Sequence, residues 1–544
     1  MSYNFLKYFP YEEPRDQQTV AIEEILSKFL NDQKRFVILE AGTGVGKSAI
    51  GLTVSRYLNR NMKAEEEISG GAYFLTTQKI LQEQYENDFG GLKGSMCSLY
   101  SSSNYRCGFH KKNDCKTSQQ LLRTEKKGSK FFKHCMMSCN YKEKKKRFLD
   151  STESVTNFNY FITESTYSGK ITPRKLLVVD EAHNAESVLS NFVEVSVSQY
   201  FCDKLIKCSW PDRITPVNFV KWVKNVYFPA LQIKVVHFEE QIEKLGLKSK
   251  LSELRTISMK YEMLSSHSRK IENFLKDYTS DNWVMEVQET EKRGYKKVVY
   301  RAIDVSKFAN EYLLRLGQKV LLMSATILNP ESFAKSLGMQ KEDYAVIKIP
   351  SPFPAENRPI FQPSIGSMSY NQINNSLPKI KKAVEAILDE HADQKGIIHC
   401  HTYRIARYLK FNIKSRKHAK RILIHDSSNR DEVLAKHINS KEPTILLSPS
   451  MSEGVDLKGD LSKFQIICKV PYPFLGDPII KKRMNRNKGW YALQTAKTIV
   501  QSCGRSVRSK NDQAVTYILD SDWHGFYKKN KGIFPEDFKK ALVD

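Results

Sequence analysis

The stretch Glu40-Ala-Gly-Thr-Gly-Val-Gly-Lys47-Ser48 constrains this chain more than any other. An apolar run, Phe36-Val37-Ile38-Leu39, precedes it and reads as a buried strand. Ala49 to Val54 follows and reads as the start of a helix. Strand, glycine-rich turn and Lys-Ser opening a helix is the setting of a phosphate-binding loop. Backbone N–H groups in such a turn point inward, and the helix N-terminus adds partial positive charge. Gly42, Thr43, Gly44, Val45 and Gly46 form the expected cradle. Lys47 is expected to reach the terminal phosphates of a nucleotide, and Ser48 to hold Mg²⁺. Ala41 stands where the motif opens on glycine and is small enough for the turn.

The remaining parts of a nucleoside-triphosphatase lie far along the chain. Lys175-Leu-Leu-Val-Val-Asp180-Glu181-Ala-His183 is an apolar strand ending in two carboxylates. Asp180 is expected to hold Mg²⁺ and Glu181 to polarise the attacking water. His183 lies where a polar side chain can link this site to a neighbouring domain. Near the C-terminus, Gln501-Ser-Cys-Gly-Arg505-Ser-Val-Arg508 reads as part of a helix. Arg505 and Arg508, three apart, share one face. Two guanidiniums there can meet developing γ-phosphate charge across a cleft, as arginine fingers do. Upstream of the loop, Arg15 and Gln18 open an amphipathic helix, and a glutamine amide can both accept from and donate to adenine's edge.

Between these parts the composition changes. The chain of 544 residues carries a formal net charge of +26, which points to a polyanionic partner, nucleic acid first. Residues 91–150 hold fifteen Lys or Arg against four Asp or Glu. The same segment holds Cys107, Cys115, Cys135 and Cys139, with seven, nineteen and three residues between them. So polar a piece cannot bury a sufficient core alone, and four thiolates on a metal centre would supply the missing stabilisation. Zinc and an iron–sulfur cluster both accept four cysteines; the wide first two spacings favour the cluster. Cys97 is a spare or a competing ligand. The run Lys142 to Arg147 follows directly and is expected to touch phosphates. Residues 185–310 show helical spacing at Phe219, Val223 and Val226, with a β-hairpin expected over Trp283 to Arg301. Lys319 to Thr326 resumes a buried strand, Ser351-Pro-Phe-Pro354 marks a linker, and a second α/β unit follows with strands at 395–400, 444–450 and 517–520. Ten sparse cysteines, the lack of a signal pattern after Met1 and the lack of an apolar run of about 18 residues favour a reducing, cytoplasmic setting without a membrane span.

In order, these motifs resemble those of the XPD/DinG family of superfamily-two helicases, iron–sulfur enzymes that unwind DNA. Arg15 and Gln18 match the adenine-reading motif, Ala41 to Ser48 motif I, Thr76 to Gln84 motif Ia and Asp180 to His183 motif II. Ser324 to Thr326 match motif III, Ser448 to Asp456 motif V and Gln501 to Arg508 motif VI. Val470-Pro-Tyr-Pro-Phe474 looks like the family's connector. Asn104 to Cys107 and Cys139-Asn-Tyr141 resemble the first and last cluster cysteines, with Asn140 replacing the usual proline. The resemblance implies an α/β fold of two RecA-like P-loop NTPase lobes, with an iron–sulfur insertion and a helical arch insertion in lobe one. It places lobe one at 1–90, 151–190 and 311–345, the cluster module at 91–150, the arch at 191–310 and lobe two at 346–544. It further implies Glu453 and Asp456 as nucleotide contacts, Gln501 in catalysis, and ATP, Mg²⁺ and a 4Fe-4S cluster on Cys107, Cys115, Cys135 and Cys139. A monomer moving 5′→3′ on single-stranded or forked DNA completes the expectation. An RNA helicase, a translocase that leaves strands paired, and a nucleic-acid binder with an idle nucleotide site share parts of this pattern; Lys47, Glu181 and Arg508 argue against the last.

Overall fold

The computed structural model describes residues 3–42, 44–90, 96–123, 125–245, 251–290, 294–426, 428–449, 457, 459–504, 506–507 and 512–543. In chain order the first strands are β1 (Phe36–Ala41), β2 (Ser69–Thr76), β3 (Met96–Ser98), β4 (Glu153–Asn157) and β5 (Arg174–Asp180). Next come β6 (Val195–Ser198), β7 (Trp283–Glu289) and β8 (Lys296–Ala302), then β9 (Gly317–Ser324) and β10 (Tyr344–Ile349). Seven of them form one parallel sheet in the order β10-β1-β9-β5-β2-β4-β3. Phe36 to Leu39 are buried on both faces, as the strands of a covered parallel sheet must be. Their alternation sorts them: Phe36 and Ile38 join one core, Val37 and Leu39 the other. Because β1 pairs with β9 and β9 with β5, the carboxyl ends of these three strands lie side by side. The phosphate loop, the hydroxyls of Ser324 and Thr326, and Asp180-Glu181 are thereby brought to one edge.

Two segments differ from expectation. Residues 91–150 are not wholly a separate module, because β3 extends the lobe-one sheet with Cys97 opposite Ser154. Cys97 is thus a buried strand residue, and the charges nearest its thiol are Lys144, Arg147, Glu86 and Arg174. The first sheet also runs through β10 to Ile349, past the expected boundary at 345, because β10 pairs along the whole of β1. Arg174, 2% exposed, fastens the return from the cysteine region. Its guanidinium donates to Ala72 O (3.1 Å), Ser154 Oγ (2.9 Å) and Leu149 O (2.8 Å), and lies over Tyr73.

The arch has the antiparallel sheet β6-β8-β7 and a helical pair, Phe228–Leu245 and Leu251–Asp277. The expected hairpin is present, with Trp283 opposite Ala302 and Glu289 opposite Lys296, and β6 is a third strand beside it. Phe219 and Val223 are buried, but Val226 is 38% exposed and Tyr227 takes the inward place. The helix runs through a π-turn over Val223–Tyr227, which shifts the apolar stripe by one residue. In lobe two, β11 (Ile360–Phe361), β12 (Gly396–His399), β13 (Ile422–Ile424), β14 (Ile445–Ser448), β15 (Phe464–Ile467), β16 (Val515–Ile518) and β17 (Leu542–Val543) form a second parallel sheet. Its order is β13-β14-β12-β15-β16-β11-β17.

The arch docks on lobe two although it is spliced into lobe one. Arg301 donates to both Asp477 oxygens (2.9 and 2.7 Å) and to Glu286 (2.7 Å). Arg483 pairs with Glu186 at 2.9 Å and donates to Ile303 O. Val284, Ile303 and Ile479 close an apolar contact beneath them.

Candidate functional site: the interlobe cleft and the thiol module

The phosphate loop needs its glycines for two reasons. Gly44 and Gly46 have φ of 85° and 86°, where side chains are strained. A Cβ on Gly44 would also lie 1.9 Å from the Phe353 ring, and one on Gly46 2.4 Å from Gln18 Nε2. Arg15 and Gln18 stand beside the loop: Arg15 Nη1 donates to Gly44 O at 2.7 Å, and Gln18 Oε1 accepts from Arg15 N at 3.0 Å. Lys47 starts the helix Lys47–Asn61 and donates to its own loop at Ala41 O, 3.4 Å away.

Across the sheet edge, Asp180 is buried and Glu181 adopts left-handed backbone with φ 50°. Such strain in a non-glycine residue is kept where the surroundings impose it, as at working sites. Burial first, then the Glu181 charge, raises the Asp180 carboxyl to about 6, while Lys47 pulls it down. Tyr85, which the sequence reading did not single out, donates to Asp180 Oδ2 at 3.0 Å and also bonds Ser48. Its hydroxyl therefore joins the two side chains expected to hold Mg²⁺. The periodicity of the helix Lys79–Phe89 marks Tyr85 as inward, but not its partners.

The lobes meet through a buried polar chain. Gln501 Nε2 donates to His183 Nε2 (2.8 Å) and Thr326 Oγ1 (3.2 Å). His183 Nδ1 stands 2.8 Å from Ser324 Oγ and 3.2 Å from Glu181 Oε2. With Nε2 accepting, the imidazole proton sits on Nδ1, facing Ser324 and Glu181. Lys497 Nζ adds a bond to His183 O at 2.8 Å. The expected link from His183 to a neighbouring domain is therefore a direct bond to lobe two. A cavity of about 400 Å³ lies between the lobes, lined by Gly42, Lys47, Glu181, Thr326, Gln501 and Val507 among others. Thr43, Glu453, Asp456, Arg505 and Arg508 lie outside the described residues. The helix Lys488–Cys503 stops at Gly504, so the expected helix over Gln501–Arg508 holds only its first three residues among those described; Gly504 and Val507 line the same cavity as Lys47.

The four module cysteines share one neighbourhood. An Arg106–Asp114 bridge sets Cys107 beside Cys115, with Cys107 N donating to Asn113 O at 3.0 Å. Cys135 lies in the helix Lys130–Met137, and Cys139 precedes the helix Asn140–Asp150. Cys115 Sγ and Cys139 Sγ are 3.6 Å apart, and His110 N donates to Cys107 Sγ at 3.3 Å. Burial, then Cys139, Cys107 and Cys135, pushes the Cys115 thiol up; burial and Cys139 push Cys135 up to about 11. Among the described residues, no group of three or more His, Cys, Asp or Glu is close enough to hold a single metal ion. Cys107, Leu121, Phe131 and Cys135 pack against Ile242 of the arch. The basic run is partly spent inside the chain: Lys144 pairs with Glu86 at 3.1 Å and Lys145 with Glu164, fastening its helix to lobe one.

Comparison with known proteins agrees with this arrangement. Residues 386–540 match the family described as "Helicase C-terminal domain", and residues 11–206 that described as "Type III restriction enzyme, res subunit". "Probable ATP-dependent helicase MJ0942" of Methanocaldococcus jannaschii is 23% identical over 98% of this chain and 96% of its own. "ATP-dependent DNA helicase DinG" of Photobacterium profundum is 30% identical over 24% of this chain and 19% of its own. The solved structure "XPD_Helicase" superposes with a TM-score of 0.64 at 16% identity, covering 96% of this chain and 99% of that one. The chain is an XPD/DinG-like superfamily-two helicase. The two parallel sheets are its RecA-like lobes. What motif reading misses in this XPD/DinG-like chain are the contacts between motifs, chiefly Tyr85 and the docking of Arg301 and Arg483.

Proposed function

We propose that this protein is an ATP-dependent DNA helicase that moves 5′→3′ on single-stranded DNA and parts the duplex ahead. The observation that carries this reading is the Gln501–His183–Thr326 contact, which ties the end of the helix Lys488–Cys503 to the motif II turn beside the Lys47–Glu181 cavity. In that cavity Lys47 reaches the β- and γ-phosphates, and Glu181 orients and deprotonates the attacking water. Ser48 and Asp180 would hold Mg²⁺, which would supply charge neutralisation on the phosphates. Tyr85 keeps the two aligned. Arg505 and Arg508 close on the γ-phosphate from lobe two, and His183 reports that closure to Glu181, which it faces at 3.2 Å. Glu453 and Asp456 complete the nucleotide contacts. The excess of positive charge holds the strand by its phosphates, with steep salt dependence.

Cys107, Cys115, Cys135 and Cys139 are proposed to hold a 4Fe-4S cluster. Four thiols in one largely buried neighbourhood, with no three described groups close enough for a single ion, suit a larger group, and an N–H already points at the Cys107 sulfur. Such a cluster stiffens the module that leans on the arch. The protein is proposed to act as a cytoplasmic monomer; no described helix is long and apolar enough to cross a membrane.

The test is strand displacement on forks carrying only a 5′ or only a 3′ tail, in DNA and in RNA, with Lys47→Ala as control. Displacement from the 5′-tailed DNA fork alone is expected, with turnover lost in Lys47→Ala by about a thousandfold or more. Displacement only from RNA, or ATP turnover without displacement, overturns the DNA-helicase reading. Anaerobically purified protein is expected to be brown with about four irons per chain; a colourless, fully active preparation refutes the cluster.

A further inference from the structure

The nucleotide cavity has one wall that none of the motifs supplies. Gly532, Phe534, Pro535, Asp537 and Lys539, from the last segment of the chain, line it together with Lys47 and Glu181. Arg358, from the entry to lobe two, lines it as well. Arg358 Nη2 donates to Asp537 Oδ2 at 2.8 Å, with the two side chains 19% and 29% exposed. The Arg358 Nε is buried and has no hydrogen-bond partner among the described residues. This guanidinium thus lies at the wall of the cavity with part of its donor fork unused.

The neighbouring charges follow one rule. Lys348 is met by Glu40 at 3.3 Å, Lys539 by Glu536 at 2.6 Å, and Arg358 by Asp537. Each of these cations on the wall is answered by a carboxylate of the chain itself, and the Arg358 pair is the most enclosed of the three. A triphosphate offers a guanidinium more charge and more acceptors than one carboxylate does. The pair is also not needed to hold the tail. Phe534 and Phe538 are buried with Trp523, and β17 pairs with β11 through Ile360 and Leu542.

We infer that Arg358 is a nucleotide-binding residue kept on Asp537 while the cavity is empty, and that an incoming triphosphate takes it over and loosens the helix Glu536–Ala541. The inference rests on the ATP reading of the cleft. It is tested on the full-length protein with Mg²⁺ and a fluorescent, non-hydrolysable ATP analogue. Arg358→Gln is expected to weaken binding about tenfold, the size of one charge-assisted hydrogen bond. Asp537→Asn is expected to strengthen it about threefold, and the gain to vanish when Arg358→Gln is also present, since the two groups act on one contact. In the wild type, hydrogen exchange over 536–541 should rise when the analogue is added; in Asp537→Asn it should be high from the start. Arg358→Lys, which keeps the charge, should recover part of the binding. Wild-type binding with unchanged affinity in Arg358→Gln, weaker binding in Asp537→Asn, or exchange that falls on adding the analogue each overturns the inference while leaving the ATP reading intact. Wild-type protein that does not bind the analogue removes both.

Discussion

The interlobe cleft and the thiol module pose one physical problem, with two different degrees of completion. Each gathers acidic groups out of water where a cation would sit. In the cleft, Asp180 is held near 6 by burial and Glu181, yet it accepts from Tyr85 and feels Lys47. In the module, burial and neighbouring thiols raise Cys115 and Cys135, Lys142 pulls Cys135 part of the way down, and an N–H reaches the sulfur of Cys107. The cleft takes its groups from the ends of adjacent parallel strands, so the sheet places them without a ligand. The module takes its groups from a loop and from short helices: one backbone bridge sets Cys107 beside Cys115, but Cys135 and Cys139 come from helices that no sheet registers against them. One site is built by the fold and lends itself to a ligand that comes and goes. On the proposed reading, the other holds a permanent guest that finishes the fold.

If that contrast holds, the largest effect belongs to the module. Cys115→Ser should remove the chromophore and free the segment 99–150 for limited proteolysis, a loss of several kcal/mol of local stability. Strand displacement should vanish while part of the ATP turnover persists; a protease-resistant, active variant would erase the distinction. A smaller effect is expected at the seam between lobes. Gln501→Ala should cut turnover about 10- to 100-fold, roughly 1.4–2.8 kcal/mol of barrier. Its melting temperature should stay close to wild type, because each lobe keeps its own core. A fall in melting temperature with unchanged turnover would make the contact merely structural.

The smallest effect concerns pH. A carboxyl whose folded pKa is raised stabilises the fold fully below its ordinary value, and that contribution is lost as pH rises through the folded pKa. For Asp180 the window runs from 3.8 to about 6. Above it, ligand-free Asp180→Asn should melt about a few degrees higher than wild type and be inactive. Added Mg²⁺ should erase the difference by stabilising only the wild type. Equal melting of the two proteins at pH 7 and pH 4 would show that the carboxyl carries no such cost.

The strand-end chemistry was legible before any coordinates, because glycine, hydroxyl and paired carboxylate at the end of an apolar run are local signals. Gly44, Ser324, Asp180 and His183 lie where those signals put them. The inserted segments were legible as composition, not as boundaries: β3 is too short to announce itself inside a lysine-rich stretch. Long-range polar partners left no local trace. Nothing in the spacing pairs Tyr85 with Asp180, Arg358 with Asp537 or Arg301 with Asp477, since each pair is separated by roughly a hundred residues or more. The π-turn before Tyr227 defeated periodicity because the rule assumes a uniform helix.

The docking of the arch has a mechanical corollary. Its chain enters and leaves through lobe one, yet Arg301 and Arg483 clamp it to lobe two. A strut tied at both ends of a hinge must tilt, bend or let go whenever the hinge swings. On the proposed reading, each hydrolysed nucleotide would therefore load the Arg301 and Arg483 contacts, and the arch would feel every opening and closing of the cleft.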